Sequence, residues 1–293
     1  MRHFIIRTFI LLVSLPVLAD NYQVSDWVAD GTFTKGVEGP ASSNDGVLYA
    51  VNHQTEGTIG KVIGKNNVEL FAKLPNGSVG NGIRFDQQNN MYIADYVNHN
   101  ILRIASGTHM VDVYAHERKM SQPNDIAIMD SGILFASDPN WSKSSGQLWK
   151  ISNDGSVTLL EKDMGTTNGI AVSPDNKKLY VNESVQRNVW VYDLDVQGNI
   201  SNKKLFISFE DHGMDGMRTD LEGNLYIARY GAGVVAMVSA QGKLIREIKL
   251  KGQFPTNVAF GGKDNKTIFV TLQQRGAIET FTSEFSGRNH RSK

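Results

Sequence analysis

Residues 167–183 read TNGIAVSPDNKKLYVNE, and the interpretation of the whole chain starts from this stretch. It contains two short runs rich in alternating apolar residues, separated by a Ser-Pro-Asp-Asn turn. Such runs on either side of turn residues are typical of a β-hairpin. The pair Asn168-Gly169 stands at the start of the first run. We therefore predict a hairpin whose first strand begins at a residue with a side-chain oxygen.

The same hairpin recurs along almost the whole chain, at steps of 42 to 47 residues. Its six copies begin at Glu38, Asn81, Asn124, Asn168, Asp215 and Asn257. Most copies are followed by a third strand pattern, and many by a fourth after a glycine turn. Four short strands per unit, repeated six times, predict an all-β six-bladed β-propeller with four antiparallel strands per blade. We assign residues 20–287 to this domain.

One segment, residues 22–33, precedes the first repeat and belongs to none of the six copies. Closing a propeller removes the exposed sheet edge at the seam of the ring. We expect this segment to pair beside residues 278–281 in the last blade and to close the ring.

The amino-acid composition argues against several classes of function. The chain has 293 residues, a formal net charge of zero and no cysteine. The balanced charge gives no electrostatic argument for nucleic acid or an anionic membrane as a partner. The absence of cysteine excludes disulfides, cysteine nucleophiles and zinc-finger sites. Residues 288–293 form a short basic tail, which we expect to be disordered.

The N-terminus has the pattern of a secretory signal peptide. Three basic residues lie before or at the start of an apolar run at residues 8–19, which is too short to span a bilayer comfortably. Val17 and Ala19 supply small residues at the −3 and −1 positions of a cleavage site before Asp20. We therefore expect residues 1–19 to be removed and the mature protein to be exported, to a periplasm or the medium, without a membrane anchor.

The repeat phase indicates where the chemistry lies. In a propeller blade, the start of the innermost strand and the end of the next strand lie on the same face, near the central channel. The six residues that begin the repeats would thus form one ring, with two carboxylates and four carboxamides. Oxygen-only ligands suit hard cations, Ca²⁺ first. The alternative is that each Asn-Gly or Asp-Gly pair is simply a turn former, but turn chemistry does not explain Glu38.

A second, flanking ring is expected at the ends of the second strands. Its members are His53, Asp95, Asp138, Glu183, Arg229 and Gln273. The histidines show no metal-ligand spacing, and no Gly-x-Ser-x-Gly elbow surrounds Ser137. We assign Trp141, Trp149 and Trp190 to packing within the blades.

At these residues the chain resembles the senescence marker protein/gluconolactonase/luciferin-regenerating (regucalcin-like) family of six-bladed propellers. The motifs that carry the resemblance are Gly36-Val37-Glu38-Gly39-Pro40, Pro123-Asn124-Asp125, Ser137-Asp138-Pro139, Asn168-Gly169-Ile170, Asp215-Gly216-Met217 and Phe260-Gly261-Gly262. The resemblance covers essentially all of the chain after the signal peptide.

The resemblance implies a set of metal ligands. The family holds one divalent cation with a Glu, two Asn and an Asp, which correspond here to Glu38, Asn124, Asn168 and Asp215. The expected cofactor is Ca²⁺, with Mg²⁺, Mn²⁺ or Zn²⁺ as alternatives. Some members place a substrate-binding Arg two positions before the first ligating Asn, where this chain has Gln122. By position, Asn81, Gln122, His53 and Arg229 are candidate substrate contacts.

The function expected from this resemblance is metal-dependent hydrolysis of a sugar-derived or similar lactone. The cation would act as a Lewis acid on the carbonyl group. Asp215 is the candidate catalytic residue, either activating water or attacking as a nucleophile. One alternative is a metal-dependent esterase or phosphoesterase on the same scaffold. The other is a non-catalytic propeller that binds a ligand or a protein. The expected partner is a small-molecule substrate.

Overall fold

The computed structural model describes residues 21–288, and these form six four-stranded antiparallel sheets arranged in a ring. The prediction of a six-bladed β-propeller is confirmed. Over the described range, the one helical segment is a 3₁₀ turn at Trp141–Lys143, and no helix is long and apolar enough to cross a membrane. The predicted signal peptide, residues 1–19, lies outside the described residues.

Each blade runs from an inner strand at the channel to an outer strand at the rim. Blade 1 contains β2 (Phe33–Ser42), β3 (Leu48–His53), β4 (Thr58–Gly64) and β5 (Asn67–Lys73); blade 2 contains β6 (Gly80–Phe85), β7 (Met91–Asp95), β8 (Asn100–Ile104) and β9 (Val111–His116); blade 3 contains β10 (Ile126–Ile128), β11 (Leu134–Asn140), β12 (Ser145–Ile151) and β13 (Val157–Met164). Blade 4 contains β14 (Thr167–Val172), β15 (Lys178–Glu183), β16 (Asn188–Leu194) and β17 (Ile200–Ser208); blade 5 contains β18 (Met217–Thr219), β19 (Leu225–Arg229), β20 (Val234–Val238) and β21 (Leu244–Lys249); blade 6 contains β22 (Pro255–Gly261), β23 (Thr267–Leu272), β24 (Ala277–Thr282) and β1 (Ser25–Val28).

The hairpin β14–β15 shows how local sequence fixes each blade. Ile170 pairs with Val181, so the apolar runs identified in the sequence face each other across the hairpin. In the turn, the Ser173 hydroxyl oxygen accepts hydrogen bonds from the backbone N–H groups of Lys177 and Lys178. Asn176 adopts φ 58°, a left-handed conformation that Asn tolerates. The turn residues therefore set the register that places both strands in the core.

The core lies between blades rather than within one blade. Six apolar clusters fill the six interfaces between neighbouring sheets. Between blades 1 and 2, for example, Val51 and Ile59 pack with Ile83 and Ile93, and all four are fully buried. A hairpin that cannot bury its apolar face alone is thus stabilised by its two neighbours.

The ring closes through the N-terminal segment, as the sequence predicts. The strand β1 is the outermost strand of blade 6, and its residues Ser25, Asp26 and Val28 pair with β24. Val28 is fully buried in the cluster between blades 6 and 1. The first described strand therefore joins the last blade and leaves no unpaired seam.

Ion pairs support this closure. The Arg275 guanidinium lies 2.8 Å from Asp26 Oδ1 and 2.5 Å from Asp30 Oδ1, and it also pairs with the buried Glu279. Lys251 Nζ lies 2.5 Å from Asp26 Oδ2, and this hydrogen bond is the main cause of a lowered pKa at Asp26. These charges link the closing strand to blade 6 on the solvent side.

The boundary of the predicted C-terminal tail requires a correction at Arg288. Its backbone N–H donates to Thr219 O at 2.9 Å, and its side chain donates to Ile128 O and Asn176 Oδ1. Because these bonds attach Arg288 to three blades, it belongs to the propeller. The rest of the predicted tail, residues 289–293, lies outside the described residues.

Replacing Val28 with Asp tests the closure. A carboxylate at this fully buried position has no partner, and an unpaired buried charge costs roughly 3–5 kcal/mol. We expect Tm to fall by roughly 6–20 °C in a calorimetric scan. Val113→Asp, on the outermost strand of blade 2 where Val113 is 55% exposed, is the matched control and should leave Tm nearly unchanged. Equal Tm values for the two variants would show that β1 does not close the ring.

Candidate metal centre

Irregularities in the inner strands turn the ring residues toward the channel. The pairing register shifts between Glu38 and Ala41 in blade 1, between Gly80 and Ile83 in blade 2, and between Thr167 and Ile170 in blade 4. In blades 3 and 5 the regular inner strand begins only after the ring residue. A bulge frees a residue from the ladder and re-aims its side chain. The Asn-Gly pairs are therefore not hairpin turns.

The glycine that follows a ring residue allows neighbouring inner strands to approach closely. A Cβ atom on Gly39, which adopts φ +56°, would lie 1.9 Å from Asn81 O in the next blade. A Cβ on Gly169 would lie 2.2 Å from Asp215 O. Because only glycine fits such contacts, these positions draw the ring residues of adjacent blades together.

The four predicted metal ligands line the same cavity. It has a volume of about 370 Å³ and is open at the channel mouth where the inner strands begin. Its lining includes Glu38, Asn124, Asn168 and Asp215, which come from blades 1, 3, 4 and 5, and also Asn81 and Gln122. The structure thus brings together all four predicted ligands and two of the four candidate substrate contacts.

The amide oxygens of this cavity lack partners. Asn124 Oδ1 and Asn168 Oδ1 are both buried, and neither accepts a hydrogen bond from any group in residues 21–288. A buried polar atom normally has a partner, and leaving one without costs about 1–3 kcal/mol. Two such oxygens beside two carboxyl groups are the arrangement that a bound cation would complete.

The two carboxyl groups are close enough to affect each other's ionisation. Burial, followed by the Asp125 charge, raises the pKa of Glu38 to about 7. Burial and the neighbouring Glu38 carboxyl raise the pKa of Asp215 well above its usual range, while a hydrogen bond from Asn168 opposes this rise. Two buried carboxylates in contact repel each other unless a proton or a cation is shared between them.

The composition of the set defines which cation fits. Among residues 21–288 there is no group of three or more His, Cys, Asp or Glu side chains that could hold a metal ion. The candidate set instead combines two carboxylates with two carboxamides, so every donor is a hard oxygen. This set fits Ca²⁺, Mg²⁺ or Mn²⁺ better than a metal that prefers nitrogen or sulfur.

The sixth ring residue, Asn257, stabilises the site from outside the cavity. It is fully buried and does not line the cavity. Its Nδ2 donates to Glu38 Oε2 at 3.0 Å, and its Oδ1 accepts from Arg218 Nη1 at 3.0 Å. Asn257 therefore orients Glu38 and connects it to charged groups deeper in the channel.

Two candidate substrate contacts do not line this cavity. His53 is buried and packs edge-on against the Phe33 ring, with centroids 5.4 Å apart. Arg229 is 1% exposed, stacks 3.7 Å from the Phe209 ring centre and donates to Asp211. Both residues end a second strand, and their side chains hold local structure instead of facing the channel.

In blades 2, 4 and 5, the residue that lines the cavity comes one position after the predicted flanking residue. Five lining residues come directly after the end of a second strand: Tyr96, Trp141, Ser184, Tyr230 and Gln273. Successive side chains in an extended chain point to opposite sides, so a one-residue shift changes the face. Gln273 was identified in the flanking ring, but the others were not. Trp141, which the sequence assigned to blade packing, is 44% exposed and lines the cavity.

The acidic members of the flanking ring fix the loops that lead into the inner strands. Asp138 accepts hydrogen bonds from the backbone N–H groups of Ser121 and Gln122, and Glu183 accepts one from Gly165 N. Each bond joins the end of a second strand to the loop before the ring residue of its own blade. These acids therefore position Asn124 and Asn168 without facing the cavity.

The fold is that of a known class of propeller. Residues 37–274 match the family model described as the SMP-30/Gluconolactonase/LRE-like region, and the chain belongs to this family. A gluconolactonase from Zymomonas mobilis is 27% identical, over 89% of this chain and 80% of its own length.

Two further relatives complete the comparison. The pentonolactonase XacC of Haloferax volcanii is 31% identical over 50% of this chain, an alignment that spans about half of that protein. The crystal structure of a calcium-binding protein, regucalcin, from Agrobacterium tumefaciens superimposes with a TM-score of 0.79. That alignment covers 91% of this chain and 96% of the other at 22% identity, so it supports the fold.

The ionisation of Glu38 predicts how stability depends on pH when no cation is bound. From pH 4.5 to about 7 the folded protein retains a proton on Glu38 that the unfolded chain has released. The folded state therefore binds more protons, and stability falls as pH rises, by on the order of 3 kcal/mol in total. We expect the Tm of chelator-treated protein to decrease across this range relative to Glu38→Gln, which lacks the titrating group.

Glu69→Gln, at an exposed position on β5, is the matched control and should keep the wild-type pH profile. If Glu38→Gln also keeps that profile, the pKa of Glu38 is not raised and the two carboxyl groups do not compete for a proton.

Proposed function

We propose that this protein is a metal-dependent lactonase that opens a sugar-derived lactone. The observation that carries the proposal is one cavity that brings together the buried Glu38 carboxyl, the half-buried Asp215 carboxyl and two amide oxygens that accept no hydrogen bond within residues 21–288. Family membership supports the reaction class, and the gluconolactonase and pentonolactonase relatives support the substrate class. We also propose that the activity operates after export, as the predicted signal peptide suggests.

The cavity suits a small polyhydroxylated ring. Its volume of about 370 Å³ falls within the range of small-molecule sites. The lining is rich in amides and hydroxyls, among them Asn81, Gln122, Tyr96 and Tyr230, which can donate and accept hydrogen bonds with sugar hydroxyls. Trp141 offers an aromatic face at the edge of the cavity.

The cation in this proposal is held by Glu38, Asn124, Asn168 and Asp215, with Ca²⁺ as the expected metal. When bound, it supplies Lewis-acid polarisation of the lactone carbonyl. Its charge also favours ionisation of both carboxyl groups, because an opposite charge nearby lowers a carboxyl pKa. Asn257 keeps Glu38 in place through its amide hydrogen bond.

Asp215 is the proposed general base. Its carboxylate accepts a proton from the water that attacks the carbonyl carbon, and the proton then passes to the ring oxygen as the C–O bond breaks. The product is the open hydroxy acid, so one water is consumed and Asp215 is regenerated. The backbone of Asp215 is held by Asn182 Nδ2, which donates to its carbonyl oxygen at 2.6 Å.

Asn81 and Gln122 are the proposed substrate-positioning residues. The Asn81 Nδ2 donates to Asn124 O at 3.0 Å, so its amide is fixed at the wall of the cavity. The Gln122 backbone is anchored by Asp138. Since Gln122 is neutral, this position favours hydroxyl groups over an anionic substituent.

Metal removal combined with a substrate panel tests the proposal. The panel contains glucono-1,5-lactone, pentono-1,4-lactones, p-nitrophenyl acetate and p-nitrophenyl phosphate. We expect kcat/KM to be highest for the sugar lactones, and chelation to lower it about 100-fold or more until Ca²⁺ is restored, because metal polarisation is worth several kcal/mol. Preferred turnover of the acetate or phosphate ester would reassign the reaction, and no turnover would indicate a binding protein.

Asp215→Asn separates chemistry from folding. This change removes the base but keeps the shape, so we expect kcat to fall about 10²–10⁴-fold while circular dichroism still reports a folded β protein. Asp112→Asn, at a half-exposed position on β9, is the control and should retain wild-type turnover. A wild-type kcat in folded Asp215→Asn would refute the role of Asp215.

A further inference from the structure

A second cavity lies at the other end of the channel, where the inner strands finish. It has a volume of about 50 Å³, room for a few water molecules or one small anion. Its lining comes from the last residues of the inner strands, together with three arginines: Arg84, Arg218 and Arg288. The proposed reaction uses none of these groups.

Three guanidinium groups lie at this cavity, and two carboxylates form ion pairs with them. Asp125 is fully buried and bridges two of the arginines, with Oδ1 3.0 Å from Arg84 Nη1 and Oδ2 3.4 Å from Arg218 Nη1. Arg288 pairs at 3.0 Å with Asp130, whose side chain is 49% exposed to solvent. Three guanidinium groups thus share two ion-paired carboxylates, and the Glu38 and Asp175 charges also act on them.

The three arginines also repel one another. Burial and then the Arg84 charge lower the pKa of Arg218 to about 9. Burial lowers the pKa of Arg288 to about 10, and Arg84 adds to that effect against the opposing charge of Asp130. Arg84 is therefore close enough to disfavour the charge of both neighbours, and a negative charge between them would relieve this cost.

Two hydrogen-bond donors of the lining lack acceptors. Arg288 uses its terminal nitrogens on Ile128, Asp130 and Asn176, but its buried Nε–H meets no acceptor in residues 21–288. The buried Ser42 Oγ likewise has no partner in that range. Within the described residues, both groups can therefore donate a hydrogen bond to a bound species at this end of the channel.

We propose that this second cavity binds a single small inorganic anion, of the size of chloride, between Arg84, Arg218 and Arg288. Ser42 Oγ–H and Arg288 Nε–H supply hydrogen bonds to it. The size of the cavity excludes sugar acids, so the site is separate from substrate and product binding. The anion stabilises the channel by offsetting the repulsion among the three arginines.

This anion site is connected to the metal centre. Arg218 donates to Asn257 Oδ1, and Asn257 donates to Glu38 Oε2. A change in the charge felt by Arg218 is thus transmitted through one amide to a proposed metal ligand. Anion binding is expected to stabilise the folded protein whether or not the lactonase reaction occurs.

Bromide replaces chloride in the test, because it scatters anomalously. In crystals of the wild-type protein soaked in bromide, we expect an anomalous peak between the three guanidinium groups. In solution at constant ionic strength, we expect Tm to be about 2–4 °C higher in chloride or bromide than in methanesulfonate, which is too large for the cavity. Water alone in the cavity, with no anomalous peak, would overturn the proposal.

Variants check that the effect arises at this site. Ser42→Ala and Arg288→Gln each remove one unmatched donor, so both should reduce the halide-dependent rise in Tm and the bromide peak. Arg118→Gln, at an exposed arginine outside the cavity, should keep the full rise. A halide effect that persists in both lining variants would place the anion elsewhere.

Discussion

The structure depends on two carboxyl groups, Glu38 and Asp215, held in contact inside a buried channel. Removing either carboxylate from water costs free energy, because burial disfavours the charged form. When both groups are ionised, they also repel each other. Asn124 and Asn168 add two amide oxygens that meet no hydrogen-bond donor within the described part of the chain, which increases the negative potential instead of relieving it. Such a concentration of oxygen atoms is stable only with a shared proton or a bound cation, and it therefore identifies the working end of the propeller.

Residues far apart in the chain reach this point because the ring is tightly closed. Glycines at positions such as Gly39 and Gly169 let adjacent inner strands come within contact distance. Strand irregularities free the preceding side chains to face the channel. The closing strand β1 and its ion pairs with Arg275 prevent the blades from separating. The candidate metal site thus depends on the whole ring, and a disruption where the ring closes would weaken a site several blades away.

The repeat made most of this arrangement predictable from sequence. The six hairpins specify the blades, and the inner ring follows because all its members share one repeat phase. The flanking ring was harder, because in blades 2, 4 and 5 the residues that line the cavity lie one position beyond those chosen. His53 packs against Phe33 and Arg229 donates to Asp211, whereas Tyr230, immediately after Arg229, lines the cavity. No periodic signal marks that reversal.

Other features depend on tertiary contacts that no pattern reveals. Arg288 looks like part of a basic tail, yet it caps the far end of the channel through bonds to three blades. Arg84, Asp125 and Arg218 come from three blades and meet only in the folded ring. Asn257 shares the repeat position of the predicted ligands, but it is buried outside the cavity and donates a hydrogen bond to Glu38. In each case the sequence shows the residue type, but the contacts that the residue makes with other blades in the folded ring determine its role.

The most direct test of the central claim is a crystal structure of the protein with Ca²⁺ bound. The account predicts one cation at the channel mouth, with oxygen atoms of Glu38, Asn124, Asn168 and Asp215 all about 2.3–2.6 Å from it. A cation bound elsewhere, or bound without both asparagine oxygens, would contradict it.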